Sequence, residues 1–177
     1  MKESKGLVVL ALVALVGTGM YVKNAGAKEG MPSLTALDYV QIEQLYAHYN
    51  HYVDSGKDDG QAYASLFTPD GVFNTNLPSL GSLRGTEELA GLARNAGSPP
   101  PAVKAAHHAV NIMIDPSPEG ATGSAYLLMI SSPEPGKTVT GLSAIYSDTF
   151  VKTSEGWKFK TRTMNSVTSP KKASASE

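Results

Sequence analysis

The sequence predicts an α+β domain in which the helices come first and a meander of four strands follows. An apolar stripe at helical spacing runs from Leu34 to Asp54. Two further helical segments follow it, and then four extended segments are separated by short turns rich in Pro, Gly and Ser. Helices followed by consecutive strands are typical of α+β domains, and 177 residues are enough for one domain with a sizeable core.

The N-terminal segment has the features of a secretory signal peptide. Two lysines precede an uncharged run over residues 6–22, whose densely apolar part is too short for a comfortable membrane span of about 20 residues. The small-residue pattern Ala25-Gly26-Ala27 then suggests cleavage, so residues 1–27 are interpreted as a signal peptide and residues 28–33 as a linker. We therefore expect a periplasmic or secreted protein. The alternative is an uncleaved anchor formed by residues 6–22, which would be the only contact with a membrane.

Composition excludes several classes of function. Hydrophobic residues make up 41% and charged residues 18% of the chain, the formal net charge is −1, and no basic run is present, so nucleic acid is not an expected partner. The chain has no cysteine, which rules out disulfides, a thiol nucleophile and an iron–sulfur cluster.

The first helix is predicted over residues 34–54. Gly56 is a natural C-terminal stop for it. Asp54 lies beside that stop, where the helix dipole disfavours a negative charge, so its presence there requires a turn or a cationic partner. The apolar stripe of this helix consists of Ile42, Leu45, Tyr46, Tyr49, Tyr52 and Val53.

The other elements follow from turn and capping signals. A second short helix is expected at residues 60–67, a turn at 68–71, a short strand at 72–74, and a third helix from the N-cap Thr86 to about Asn95. The segment from Gly97 to Pro101 breaks that helix. The meander strands are predicted at 106–115, 121–131, 139–152 and 157–167. The domain is placed at residues 34–168, and the polar residues 169–177 are expected to be disordered.

Strict alternation assigns the faces of the first meander strand. His107, Ala109, Asn111 and Met113 share one face, and His108, Val110, Ile112 and Ile114 share the other. A single layer of helices covers only one face of a sheet. The face that carries His107 is predicted to point inward, and the uncovered face would then expose Val110, Ile112 and Ile114. Such an apolar patch marks an interface, so we predict a homo-oligomer, a dimer through the outer sheet face.

On the last strand, alternation places Trp157 and Phe159 towards the helices and the basic residues Lys158, Lys160 and Arg162 on the opposite face. Asp148, on the long strand before it, is expected to pair with Arg162 or Lys160 rather than to contact a substrate.

His107 and Asp54 are the candidate catalytic pair. A neutral imidazole accepts a proton near physiological pH, and a carboxylate on its other ring nitrogen orients it and stabilises the imidazolium. The alternative is a core histidine bonded to a backbone carbonyl, with Asp54 capping the turn that follows its helix. A one-residue register slip would exchange His107 with His108.

Further candidate residues would position a substrate. Tyr49 could donate a proton, although its helical stripe of tyrosines is also a core pattern, and Asn111 could donate a hydrogen bond to a substrate carbonyl. Tyr146 is a further candidate for substrate binding. The candidate wall residues, for which core packing is the alternative, are Phe73, Met113, Met129 and Trp157.

A metal site is an alternative, because His48, His51 and Asp54 recur every three residues on one helix and such side chains are zinc and iron ligands. Both histidines lie largely off the apolar stripe and are expected to face water. No metal and no other cofactor is therefore predicted.

Over residues 37–167 the sequence resembles the SnoaL-like branch of the NTF2-like superfamily. No single motif is specific for this family, but the order and spacing of the motifs together are specific. The pieces are Ile42-x-x-Leu45-Tyr46, Val53-Asp54-Ser55-Gly56, Leu66-Phe67-Thr68-Pro69-Asp70-Gly71-Val72-Phe73, Leu83-Arg84-Gly85, His107-His108-x-x-Asn111, Tyr146-x-Asp148 and Glu155-Gly156-Trp157-Lys158-Phe159.

The resemblance implies a curved antiparallel sheet wrapped around the long first helix, with a pocket inside the cone. Some members are cofactor-free lyases that use an Asp–His dyad, among them scytalone dehydratase, bile-acid 7α-dehydratase and hexachlorocyclohexane dehydrochlorinase. Asp54 and His107 match the dyad, Asn111 fits the dehydrochlorinase pattern, and Tyr49 matches a functional tyrosine of the bile-acid enzyme.

Three functions therefore remain open at this point. The first is a cofactor-independent lyase or isomerase, of dehydratase type, acting on a small, apolar and possibly cyclic molecule. The second is a module that binds a small ligand or a partner without catalysis. The third is polyketide-type cyclisation, whose usual cytosolic setting fits poorly with an export signal. A superfamily fold alone does not choose among them.

Overall fold

The computed structural model describes residues 32–97 and 104–167. The predicted signal peptide, most of the predicted linker, most of the Pro-rich break before the meander and the C-terminal tail lie outside the described residues. Within the described ranges, no helix is both long and apolar enough to cross a membrane.

The described residues form three helices and six strands. Their bounds are α1 Ala36–Ser55, a short helical turn Lys57–Gly60, α2 Gln61–Ala64, β1 Phe67–Thr75, β2 Ser82–Arg84, α3 Gly85–Ala96, β3 Lys104–Ser117, β4 Gly120–Glu134, β5 Lys137–Thr153 and β6 Gly156–Ser166.

The strands form one curved open sheet in the order β2-β1-β6-β5-β4-β3. Strands β3 to β6 are joined as consecutive antiparallel hairpins, as predicted, whereas β1 pairs in parallel with β6. The core lies between the inner sheet face and α1, and β3 is an edge strand. The α+β prediction is confirmed.

Helix α1 forms because its first turn is capped and its inner face is apolar. Thr35 and Asp38 make a reciprocal capping box, which satisfies backbone N–H groups that have no partner inside the helix. Gly56, at φ 59°, ends the helix as predicted, because glycine adopts the left-handed conformation without strain. The helix buries Asp38, Ile42, Leu45, Tyr46, Tyr49 and Val53.

A β-bulge in β3 corrects the predicted assignment of faces. The register shifts between Val110 and Met113, and Asn111 has φ 53° at that point. A bulge inserts one extra residue and therefore reverses the alternation after it. Ile112 consequently packs against the core together with Ile114, whereas Met113 is 62% exposed. The predicted inward positions of Asn111 and Met113 are wrong, as are the outward positions of the two isoleucines.

A second irregularity, in β6, reverses the alternation there. Thr149 faces Thr161 but Phe150 faces Phe159, so Lys160 is an extra residue in the pairing with β5. Trp157 and Phe159 point inward as predicted. Arg162, predicted on the outer face, is fully buried.

Two smaller predictions also change. The predicted turn at residues 68–71 is an irregularity within β1, which begins at Phe67. The N-cap of α3 is Arg84 rather than Thr86, and the Glu88 carboxylate accepts a hydrogen bond from the Arg84 backbone N–H at 2.7 Å.

Candidate active site

Asp54 and His107 meet where the end of α1 contacts the edge strand β3. Oδ1 of Asp54 lies 2.5 Å from Nδ1 of His107, and Oδ2 accepts the backbone N–H of the same residue at 2.9 Å. One carboxylate therefore holds both the ring and the main chain of His107. This contact supplies the partner that a carboxylate at the C-terminal end of a helix requires.

The contact also selects the protonation pattern of the imidazole. An ionised carboxylate only accepts hydrogen bonds, so Nδ1 carries the proton and donates to Asp54. The Nε2 lone pair of a neutral ring is then available to a ligand. The side chains of His107 and Asp54 are 18% and 24% exposed, so the pair lies partly open rather than sealed in the core.

A left-handed turn fixes the end of α1. Gly56, Asp58, Asp59 and Gly60 all have positive φ values between 53° and 81°. A Cβ atom on Gly60 would lie 2.0 Å from the Ala90 carbonyl oxygen of α3. Since real Cβ atoms do not approach so closely, glycine is required for this contact, which holds the turn after Asp54 against α3.

Tyr49 lies deeper than the dyad and is enclosed. It is 2% exposed, and its ring contacts those of Tyr63, Phe67, Tyr146 and Phe159 at centroid distances of 4.9 to 6.4 Å. The structure therefore brings Tyr49 and Tyr146 together in the aromatic core below the dyad. Burial raises the pKa of both Tyr63 and Tyr146 well above the ordinary value, so these phenols stay neutral.

A buried ion pair occupies this aromatic core. Arg162 donates through Nε and Nη2 to the two oxygens of Asp148 at 2.8 and 2.7 Å, which confirms the predicted pairing. The guanidinium carbon lies 4.0 Å from the ring centroids of both Tyr49 and Tyr146. Burial opposes the charge of Arg162, but Asp148 outweighs that effect, and the pKa of Arg162 lies above its usual value.

The role of Arg162 at this position was missed in the sequence because alternation placed it outside. A signal was nevertheless present. Tyr146, Asp148 and Phe150 alternate on one face of β5, and a carboxylate between two buried aromatic residues needs a cation.

The predicted wall residues are dispersed over the fold. Met129 pairs with His107 across β3 and β4. Phe73 is buried in the core, and Trp157 donates to Asp38 at 2.9 Å beside the opposite, N-terminal end of α1. Asn111 and Met113 are exposed at and beyond the bulge.

The metal alternative finds no ligand set in the described parts of the chain. No group of three or more His, Asp or Glu side chains is close enough together there to hold a metal ion. His48 and His51 are exposed, as predicted.

One groove of about 390 Å³ lies away from the dyad, between α2, the start of β1 and the β5–β6 turn. Its lining includes Phe67, Thr68, Thr153 and Lys158, and no predicted site residue belongs to it. The Lys158 ammonium already donates to the Ser65 carbonyl at 2.7 Å.

Comparison with known families then identifies the fold. The model of the SnoaL-like domain matches residues 34–163. The chain belongs to the SnoaL-like family. Among the curated proteins, none matches it. Solved structures show that this SnoaL-like protein has the cystatin-like, NTF2-like fold, which confirms the fold predicted from the resemblance.

Three of these structures are informative. A Nostoc punctiforme protein of unknown function with a cystatin-like fold is 25% identical, with a TM-score of 0.61 over 76% of this chain and 95% of that chain. An NTF2-like protein from Novosphingobium aromaticivorans is 20% identical, with a TM-score of 0.66 over 76% and 84%. A Catenulispora acidiphila protein in complex with S-DNPA is 25% identical, with a TM-score of 0.63 over 75% and 95%.

Proposed function

We propose that this SnoaL-like protein is a cofactor-independent lyase or isomerase in which His107 is the general base and Asp54 orients it. The observation that carries the proposal is the double contact of the Asp54 carboxylate with the ring and the backbone of His107. A histidine whose Nδ1 is held by a carboxylate has Nε2 left to accept a proton, which is the arrangement that general-base catalysis requires.

The reaction follows from this arrangement. Nε2 of His107 removes a proton from a carbon next to an activating group such as a carbonyl, and Asp54 stabilises the resulting imidazolium. In a dehydratase the electron pair forms a carbon–carbon double bond, the carbon–oxygen bond of a β-hydroxyl breaks, and the imidazolium proton leaves with the hydroxyl as water. In an isomerase the same proton returns to another carbon of the substrate.

The substrate class is proposed from the surroundings of the dyad. Met129 is the cross-strand neighbour of His107, and Ala109 and Leu142 pack against the core nearby, so the neighbours of His107 on this part of the sheet are apolar. We therefore propose a small, mostly apolar and possibly cyclic substrate. The ligand complex of the Catenulispora protein supports small-molecule binding in proteins of this fold.

A simple proton-abstraction probe tests the proposal without the natural substrate. Nitrobenzisoxazole loses a ring C–H proton to a base as its N–O bond breaks, which gives a coloured cyanophenolate. His107→Ala should lower kcat/KM for this probe by about 10²-fold or more, because positioned general bases contribute about 10²–10⁴-fold. The matched control is His108→Ala, which removes an exposed imidazole next to the site and should leave the rate within a factor of two. Equal rates in the two variants would refute the role of His107 as the general base.

A binding module without catalysis is the second candidate. It is favoured by the enclosure of Tyr49, since a tyrosine packed against four rings cannot reach a substrate without movement of the core. In that case the wild-type protein would bind apolar probes yet convert nitrobenzisoxazole no faster than either histidine variant does.

We also propose a homodimer through the outer face of β3 and β4. Val110 and Tyr126 are cross-strand partners there, and Met113 and Tyr126 are 62% and 52% exposed. Tyr126→Lys should shift the sedimentation of the protein to that of a monomer. Tyr39→Lys, at an exposed tyrosine on α1, is the control and should not. A wild-type protein that is monomeric at micromolar concentration would contradict the dimer.

Export is proposed from the sequence of residues 1–27 alone. The N-terminal sequence of protein recovered from the exported fraction should begin at Lys28. An N-terminus at Met1 would contradict cleavage.

A further inference from the structure

Gly97 caps the end of α3 with a backbone conformation that does not require glycine. Its φ and ψ angles are −76° and −7°, in the right-handed region that every L-residue adopts, and its N–H continues the helix by donating to the Ala93 carbonyl at 2.8 Å. Glycine is a weaker helix former than alanine at such a position. The reason for a glycine here therefore lies in what surrounds it.

The end of α1 is the neighbour that excludes a side chain from Gly97. A Cβ atom on Gly97 would lie 2.2 Å from the Gly56 nitrogen and 2.6 Å from the Ser55 carbonyl carbon. The contact is mutual, because a Cβ atom on Gly56 would lie 3.3 Å from the Gly97 Cα. Helices α1 and α3 thus touch backbone to backbone directly after Asp54, the carboxylate that holds the ring and the main chain of His107 at 2.5 and 2.9 Å.

We propose that Gly97 is a positioning residue whose missing side chain lets the end of α3 set the Asp54 carboxylate against His107. A methyl group on residue 97 forces the two backbones apart by about 1 Å before it reaches an ordinary contact distance. Ala90 and Ala93 are fully buried and anchor α3, so we expect the end of α1 to give way. A shift of this size lengthens both hydrogen bonds of Asp54 beyond the range of about 2.7–3.2 Å and releases the imidazole.

The tautomer of His107 reports on this position without any substrate. Long-range ¹H–¹⁵N NMR spectra at alkaline pH, where the ring is neutral, show which ring nitrogen carries the proton. The wild-type protein should carry it on Nδ1, because that nitrogen donates to Asp54. In Gly97→Ala the released ring should revert to the Nε2–H form that histidine favours in water.

Two controls separate positioning from packing and from stability. Gly91→Ala makes the same substitution in α3 where the added methyl group has open space, and it should keep the Nδ1–H form. Asp38→Asn weakens the opposite end of α1, where Asp38 binds Lys152, and it should keep that form although it is less stable.

A milder variant decides the question if Gly97→Ala does not fold. Gly56→Ala presses on the same contact from the side of α1, where its Cβ atom would lie 3.2 Å from the Ala93 carbonyl oxygen. A change towards the Nε2–H form in this variant would support the positioning role, and an unchanged tautomer would overturn it.

A kinetic measurement connects this position to catalysis, and this part alone rests on the proposed function. Gly97→Ala should lower kcat for nitrobenzisoxazole by about 10–100-fold with little change in KM, because a misplacement of about 1 Å costs up to about 10²-fold. Both control variants should stay within a factor of about two. A folded Gly97→Ala that keeps the Nδ1–H form, or a wild-type ring protonated on Nε2, would overturn the positioning role. A lost Nδ1–H form without any wild-type turnover would support the role of Gly97 and refute only the base.

Discussion

Asp148 and Arg162 form a two-point ion pair in the centre of the aromatic core, and neither side chain is exposed. Four aromatic rings surround the guanidinium within 4.8 Å. Removing one partner of such a pair leaves an uncompensated buried charge. This costs more stability than replacing both partners with apolar residues.

Asp148→Asn should therefore lower the free energy of unfolding by about 3–5 kcal/mol in urea titration. The double variant Asp148→Leu/Arg162→Met should recover most of that loss. Asp70→Asn, which breaks the exposed pair with Lys160, should change stability by about 1 kcal/mol or less. Similar losses in Asp148→Asn and Asp70→Asn would contradict the importance of burial.

Asp38 joins the N-terminus of α1 to the β5–β6 hairpin and should make the fold acid-sensitive. The Lys152 ammonium, and then Thr35 and Trp157, hold the pKa of the Asp38 carboxyl well below its ordinary value of 3.8. A depressed folded-state pKa stabilises the protein above the unfolded-state value, and this contribution is lost progressively as the pH falls below about 4.

Asp38→Asn should accordingly be less stable than wild type at neutral pH and should lose less stability between pH 5 and pH 2, in urea titrations at each pH. Asp115→Asn, at an exposed carboxylate of β3, should follow the wild-type pH dependence. An unchanged pH slope in Asp38→Asn would show that other carboxylates dominate acid unfolding.

Two glycines of the α2–α3 region should respond oppositely to alanine. Gly60→Ala places a methyl group 2.0 Å from the Ala90 carbonyl oxygen at a positive φ, so it should lose about 1–3 kcal/mol or more. Gly91→Ala has open space inside α3 and should gain about 0.5–1 kcal/mol. Chemical denaturation measures the stability change of each variant. Equal changes at the two positions would contradict the close contact between Gly60 and Ala90.

Sequence signals that act locally predicted the first helix and the need of Asp54 for a partner, whereas the choice of His107 as that partner rests mainly on the family resemblance. The apolar spacing, the Gly56 stop and the misplaced charge of Asp54 are all properties of neighbouring residues, and the structure supplies the partner that this charge requires. The short turns after residue 115 likewise predicted the antiparallel order of β3 to β6.

The faces of β3 and β6 could not be predicted beyond one point in each strand. The extra residues at Asn111 and Lys160 reverse the alternation, and the sequence carries no glycine or proline to mark them. This is why Met113 lies outside and Arg162 inside. The parallel pairing of β1 with β6 joins segments about 90 residues apart, and no local pattern reports such a contact.

The most direct test of the account is the rate at which Asp54→Asn removes a proton from nitrobenzisoxazole. If the asparagine oxygen keeps the backbone N–H of His107, its NH₂ group faces Nδ1 and moves the ring proton to Nε2, the nitrogen that must accept from the substrate. We expect kcat/KM at pH 7 to fall by about 100-fold or more, with Asp115→Asn unchanged. A variant Asp54→Asn that keeps the wild-type rate would contradict the claim that Asp54 makes His107 a base.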